Sequence, residues 1–460
     1  MNAWDPYRPS AANPWDARKV GHLHRRAGFG ASMVDLARGL ADGPDKTLDR
    51  VLAGGPADAD FEASSEFMAS ERSLPAGAPP AQLAAWWLYR MLRTPHPLHE
   101  KLCLFWHNHF ATSVVKVRNA RFMLGQYRTI SQYALGRYDE LLHAITVDPA
   151  MLVWLDAKDS KKGKPNENYA RELMELFSLG IGNYTETDIR EAAKAFTGYS
   201  IKAGKSLFTE RDHDGGLKTV FGKSGRYKAG DIVDLCLAHD ACPRFIVGKL
   251  YRFFFSEQDA PSADFLAPLV KRYRDSKFDT GKLVATMLRS NHFFSPEAYR
   301  AKVKSPVEFA VGIVRALEGN VGPLNLATAL ESLGQVLFAP PSVKGWDGGP
   351  AWLNAQTLLF RQNLALALTS TEDTRFGRRC DPVAVLAKHG VEGEENAIEF
   401  YLKVFLQGDA SPEARDQLKD YAKRTKGAKY PPYWSAEDVA HHRLRALAHL
   451  TLALPEFQLS

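Results

Sequence analysis

Apolar residues recur at helical spacing in segment after segment, and the runs stop at Pro, at Gly or at a capping side chain. That pattern confines the chain to a mainly helical fold. Over residues 81–93 (AQLAAWWLYRMLR) Leu83, Trp86, Trp87 and Met91 keep the spacing, and Pro95 and Pro97 end the run. Residues 98–110 (LHEKLCLFWHNHF) are so dense in apolar side chains that this helix is expected to be buried, and 118–135 supplies the next amphipathic one. Asp148-Pro149 marks a helix start, the loop KDSKKGKPNEN cannot continue a helix, and 169–179 resumes one until Gly180 and Gly182. Thr185, with Asp188 in place of the usual Glu, forms a capping-box-like entry to IREAAKAFTGY. Ser295-Pro-Glu and Ser411-Pro-Glu each offer an N-cap, a Pro at the first helical position and an acid in the first turn.

Residues 199–225 break the pattern. Gly204, Gly215, Gly216, Gly222 and Gly225 punctuate short runs there, which reads as a small hairpin excursion. Helices are expected again at 230–238, 242–255, 262–274, 280–288, 306–318 and 327–338. The loop 339–352 (APPSVKGWDGGPAW) is too apolar and aromatic for a floppy linker, whereas 370–382 is polar enough to place a soft boundary near residue 375. The expected architecture is mainly α: a multi-helical globular body over 1–375 with a small β-hairpin excursion, and a C-terminal helical segment over 376–460 that docks on it. Helices near 397–406, 412–423 and 436–454 build that segment.

Composition narrows the function classes. A chain of 460 residues suits about three domain-sized units or one large helical body with appendages. A hydrophobic share of 45% and a charged share of 24% exclude wholesale disorder and a fibrous repeat. The net charge of +6, from 59 basic and 53 acidic residues, is too small to imply nucleic acid. No run approaches the roughly 18 apolar residues of a membrane span, and the N-terminus lacks the apolar core of a secretion signal. Cys103, Cys236, Cys242 and Cys380 show no CxxC spacing, which fits reduced thiols and a cytoplasmic location and does not indicate a Cys236–Cys242 disulfide.

Several clusters carry ionisable groups, each with a structural reading beside the chemical one. His107 and His109 lie about 200° apart on an ideal helix, so they can share a metal ion only if the helix ends between them; otherwise they are hydrogen-bonded core histidines. Glu172 and Glu175 share one helix face, as do Asp188 and Glu191, which resembles half of a carboxylate metal site. Neither helix supplies the His of a di-iron site, and Arg171 and Arg190 offer ion pairs instead. His213-Asp214-Gly215-Gly216 with Lys218 is a turn by composition, and also a set suited to an anion or a metal. No GxSxG, HExxH or P-loop occurs, and Gly28-Phe29-Gly30 lacks the third glycine of a dinucleotide fingerprint.

The ordered words HLHRRAGFG, EKLCLFWHNHFATS, KPNENYARELMELFSLGIGNYTETDIREAAKAFTGY, HDGGLKT, RFIVGKLYRFFF, KSPVEF and LGQVLFAPPSVKGWDGGPAW together resemble the bacterial domain-of-unknown-function 1800 family. The resemblance runs from about residue 20 to the PEFQ near the C-terminus. His24 stands where the family usually has an aliphatic residue, and Asp347 where a proline is common. It implies a mainly helical fold and a protein partner of a co-encoded, alkaline-phosphatase-like and often exported kind, so export together with that partner stays open. It names no activity.

Two readings compete. In the first the chain is a metal-assisted or acid/base enzyme on an anionic substrate. Glu172, His213, Asp214 and Lys218 would be catalytic, His107, His109 and Glu175 would hold zinc, manganese or iron, and Lys249, Lys304 and Lys344 would bind substrate. In the second, the motif residues are ion pairs, caps and aromatic packing that shape a partner or chaperone-like surface for the phosphatase-like protein.

Overall fold

Side chains that accept backbone N–H groups begin most of the helices, and full capping boxes include Ser32 with Asp35, Thr185 with Asp188, Ser305 with Glu308, Asn354 with Thr357 and Ser435 with Asp438. The computed structural model describes residues 2–257 and 260–460, and the chain is 60% helical. Strand is confined, among the described residues, to two separate two-stranded antiparallel ribbons. The first pairs Tyr199–Lys202 with Lys205–Phe208 and the second pairs Lys218–Val220 with Lys223–Gly225. Both turn on two residues at positive φ, Ala203-Gly204 and Phe221-Gly222, as tight antiparallel hairpins require. The excursion is thus two ribbons joined through the HDGG turn, not one.

Three expectations need correction. Ser295-Pro-Glu starts no helix: a single turn forms, Tyr299 N bonding to Ser295 O at 3.2 Å, and Arg300 then adopts φ 52°, which a right-handed helix cannot continue. The helix expected at 327–338 is Pro323–Ser332, because Gly334 and Phe338 take positive φ. The helix expected over 169–179 is α-helical only over Asn168–Glu172 and continues as a π-helix over Leu173–Ser178. Helices Ala17–Arg26, Met33–Ala53, Ala59–Ala69 and Ala355–Thr369 carry no expectation from periodicity above; in Met33–Ala53 the pattern is broken at Gly43-Pro44, where the helix kinks.

One connected apolar core runs from Trp4 to Phe457. Helix Pro97–His109 lies deep in it, with Leu98, Leu102, Cys103 and Trp106 fully buried. The C-terminal helices join the same core: Glu394–Leu406 packs on Ala17–Arg26 and Pro306–Ala316, and Phe457 meets Phe309 and Phe405 edge to face. All four cysteines are buried and free. No helix among the described residues is long and apolar enough to cross a membrane.

Candidate functional site

Burying ionisable groups in such a core is costly unless each finds a partner, so the first matter is where their hydrogen bonds go. His109 ends helix Pro97–His109. Its Nε2 lies 3.0 Å from Phe177 O; a carbonyl only accepts, so Nε2 carries the proton and Nδ1 is the acceptor that Lys249 Nζ meets at 3.0 Å. Lys249 also donates to Leu176 O at 3.0 Å, and the Tyr138 hydroxyl donates to Phe177 O. The π-helical end of Leu173–Ser178 therefore has its orphan carbonyls satisfied by three side chains drawn from three other helices. Burial and then the Lys249 charge push the His109 pKa well down, and burial pulls Lys249 down to about 8.

His107 points elsewhere. Its ring packs among Trp87, Phe338 and Trp346 with centroids 5.2–5.8 Å away, its Nε2 has no partner, and burial pushes it down to about 3. Glu172 is half-buried; burial, then the Glu175 carboxylate, raise its pKa against Arg171. Glu175 accepts from the Tyr184 hydroxyl at 2.7 Å. Buried His213 donates through Nδ1 to Thr197 O at 3.1 Å, Asp214 accepts from Gly216 N at 2.9 Å, and the Lys218 ammonium donates to Asp214 O and Gly216 O. The HDGGLKT word folds onto its own backbone. Lys304 is buried with its Nζ 3.5 Å from the centre of the Phe457 ring, while Lys344 is exposed and paired with Asp347 at 2.8 Å. Among the described residues no three or more His, Cys, Asp or Glu side chains form a group that could hold a metal ion, so the expected ligands are not brought together as one set.

A different group of motif residues does converge. Leu104 and Asn108 from FWHNHF, Phe253 from RFIVGKLYRFFF, Ser305 and Glu308 from KSPVEF, Gln335, and Trp346, Gly348 and Trp352 from the KGWDGGPAW loop line one cleft with Glu257, Lys302 and Val303. Asn108 builds its wall: the side chain accepts from Trp346 N at 2.7 Å and donates to Trp346 O at 3.4 Å. Gly345, at φ 85°, leaves no room for a Cβ against Asn108. Gly348 and Gly349 also have positive φ, and a Cβ on either would stand 3.1–3.2 Å from the Glu257 carboxylate. The loop is shaped so that backbone closes over that carboxylate.

Two lysine–carboxylate pairs floor the cleft. Lys101, 1% exposed, donates to Glu308 and to Gly28 O at 2.8 Å, and Glu308 Oε2 accepts from Ser305 N at 2.7 Å. Burial alone would raise the Glu308 pKa, but Lys101, Lys302 and the Ser305 cap outweigh it and hold the carboxyl down to about 2. Lys302 Nζ donates to Glu257 Oε1 at 2.8 Å and to Arg252 O at 3.1 Å. The remaining oxygen, Glu257 Oε2, is buried and has no hydrogen-bond partner. The free space amounts to about 70 Å³, room for roughly five water-sized particles at ~10–15 Å³ each.

None of Lys101, Glu257, Lys302 or Glu308 stands out in a periodicity reading. Lys101 inside a buried apolar run is the one signal that could have flagged a hidden partner; Glu308 is disguised as an ordinary capping-box acid, and Glu257 carries no local signature. No curated protein and no solved structure matches the chain. A family model described as protein of unknown function (DUF1800) matches residues 22–459, so the chain belongs to that family.

Proposed function

We propose that the chain is an acid/base enzyme acting on a small polar molecule that bears a hydroxyl or amine group, with Glu257 as the proton acceptor. The observation that carries this reading is the free Oε2 of Glu257, a buried acceptor with an open valence in a cleft whose other charged groups are paired. A substrate O–H or N–H donating to Oε2 fills that valence, and Lys302 on Oε1 balances the carboxylate charge while the proton moves. The rings of Trp346 and Trp352 offer apolar faces for the body of such a molecule, and Ser305 and Gln335 add polar contacts. A thermal-shift panel of small polyols, amino alcohols and sugars tests it. Hits should raise the melting temperature saturably in wild type and in Glu257→Gln and not in Trp352→Ala, and turnover of a hit should vanish in Glu257→Gln. Equal turnover in Glu257→Gln sinks the reading.

A partner role is the second reading, and one observation favours it. Helix Ala355–Thr369 leaves Leu358, Leu359 and Leu366 exposed, and Leu359 and Leu366, seven apart, lie on one face. An alkaline-phosphatase-like protein of the kind the family resemblance implies is the partner proposed for it. Co-purification of the two chains should fail for Leu359→Asp with Leu366→Asp; unchanged binding would exclude this face.

A further inference from the structure

The interior between the first helix and the C-terminal segment holds more positive charge than it can neutralise. Arg25 is 7% exposed and Lys304 5%, and neither forms an ion pair among the described residues. Arg25 reaches the Gln407 amide oxygen through Nη1 and has the Tyr299 side chain as its other polar neighbour, the ring 5.7 Å away, while Nε and Nη2 make no aligned hydrogen bond. Lys304 Nζ sits over the Phe457 ring, 3.5 Å from its centre. Arg361 Nη2 is occupied by Lys304 O at 2.7 Å, and its Nε is likewise without a partner. The nearby carboxylates are already engaged: Glu308 by Lys101, Glu257 by Lys302, and Asp409 by Arg300 at 3.3 Å and Arg18 at 3.5 Å.

Arg25 and Lys304 share the wall of a partly open cavity of about 20 Å³, lined also by Gln407, Phe29, Gly30 and Phe457. That is the space of one water-sized particle. Arginine stays charged in proteins, so the site is cationic even with Lys304 neutral. The geometry points to a structural monovalent anion, chloride-sized, held in this cavity by Arg25 and Lys304. Such an ion supplies the acceptor that Arg25 Nε or Nη2 lacks and a counter-charge for Lys304 Nζ, and it ties helix Ala17–Arg26 to the segments carrying Lys304 and Gln407. Burial first, and then the charges of Arg25, Arg300 and Arg361, hold the Lys304 pKa well below the usual lysine value.

The test is melting of the full chain in sodium gluconate against sodium chloride at fixed ionic strength, with bromide as a second probe. Wild type should gain several degrees on chloride or bromide, saturating with concentration, and Lys304→Met should lose that gain while the exposed Lys344→Met keeps it. Should Lys304→Met not fold, Gln407→Glu decides: a carboxylate placed beside Arg25 should raise the melting temperature in gluconate and abolish the halide response. Equal melting of wild type in gluconate and chloride, or a halide response unchanged in Lys304→Met or in Gln407→Glu, overturns the proposal.

Discussion

The junction of His109 and Lys249 and the cleft of Glu257 are built from the same kinds of residue and end in opposite states. At the junction each named polar group has a partner: His109 uses both ring nitrogens, Lys249 donates twice, and the carbonyls of Leu176 and Phe177 are filled. In the cleft three of the four carboxylate oxygens of Glu257 and Glu308 are filled and one is open. The difference teaches that an ionisable residue in a motif points to chemistry only where the fold leaves it an unused valence. A satisfied one is holding helices together.

The largest effect on stability should come from breaking the cleft floor. Lys101→Met leaves the buried Glu308 carboxylate unpaired, and unfolding by urea should show a loss of about 3–5 kcal/mol. Adding Glu308→Leu should restore much of it, since an apolar pair is tolerated where a lone charge is not; no recovery in the double variant would mean that Lys101 acts through packing alone.

At the junction, Lys249→Met should cost roughly 1–3 kcal/mol, because Leu176 O and His109 Nδ1 lose a buried donor. Tyr138→Phe should cost about half as much, since Phe177 O keeps its bond from His109. Equal stability of Lys249→Met and wild type would reverse the contrast, making the junction lysine a spare group.

A third region sharpens the comparison through pH. Asp148 caps helix Pro149–Trp154 through Met151 N at 3.0 Å and accepts from Gln126 at 2.9 Å; burial raises its carboxyl from 3.8 to about 7 despite these bonds. The folded chain favours the protonated form, so this contribution is full below pH 3.8 and weakens as pH rises to about 7, on the order of 1 kcal/mol per unit. Asp148→Asn keeps the cap without the charge, and melting curves should show it more stable than wild type at pH 8 and no more stable at pH 4. A gain that is the same at both pH values would assign the effect to something other than ionisation.

A smaller stability effect than at the floor is expected at the open oxygen. Glu257→Gln keeps an acceptor for Lys302 but removes its counter-charge, and because the Glu257 side chain is 25% exposed the loss should be about 1–2 kcal/mol, while the proton acceptor is removed. A loss as large as that of Lys101→Met would place Glu257 among the structural pairs and erase the distinction between floor and site.

What the sequence by itself determined is the local part of the protein. Helix identity, the Thr185–Asp188 and Ser411 caps and the glycine turns of the excursion all rest on interactions within a few residues, and those are readable from spacing. The Ser295 word failed for the complementary reason: it carries the residue types of a cap, but Ser295 Oγ accepts no backbone N–H and the residues beyond pair elsewhere, Lys304 N with Gln458 O and Ser460 N with Lys302 O. Only the tertiary structure decided which charges meet. Lys101 and Glu308 stand 207 residues apart, His109 and Lys249 140, and Glu257 and Lys302 45. Whether a buried acid is paired, half paired or open depends on which distant cation the packing delivers, because Coulomb energy and desolvation act through space and not along the chain.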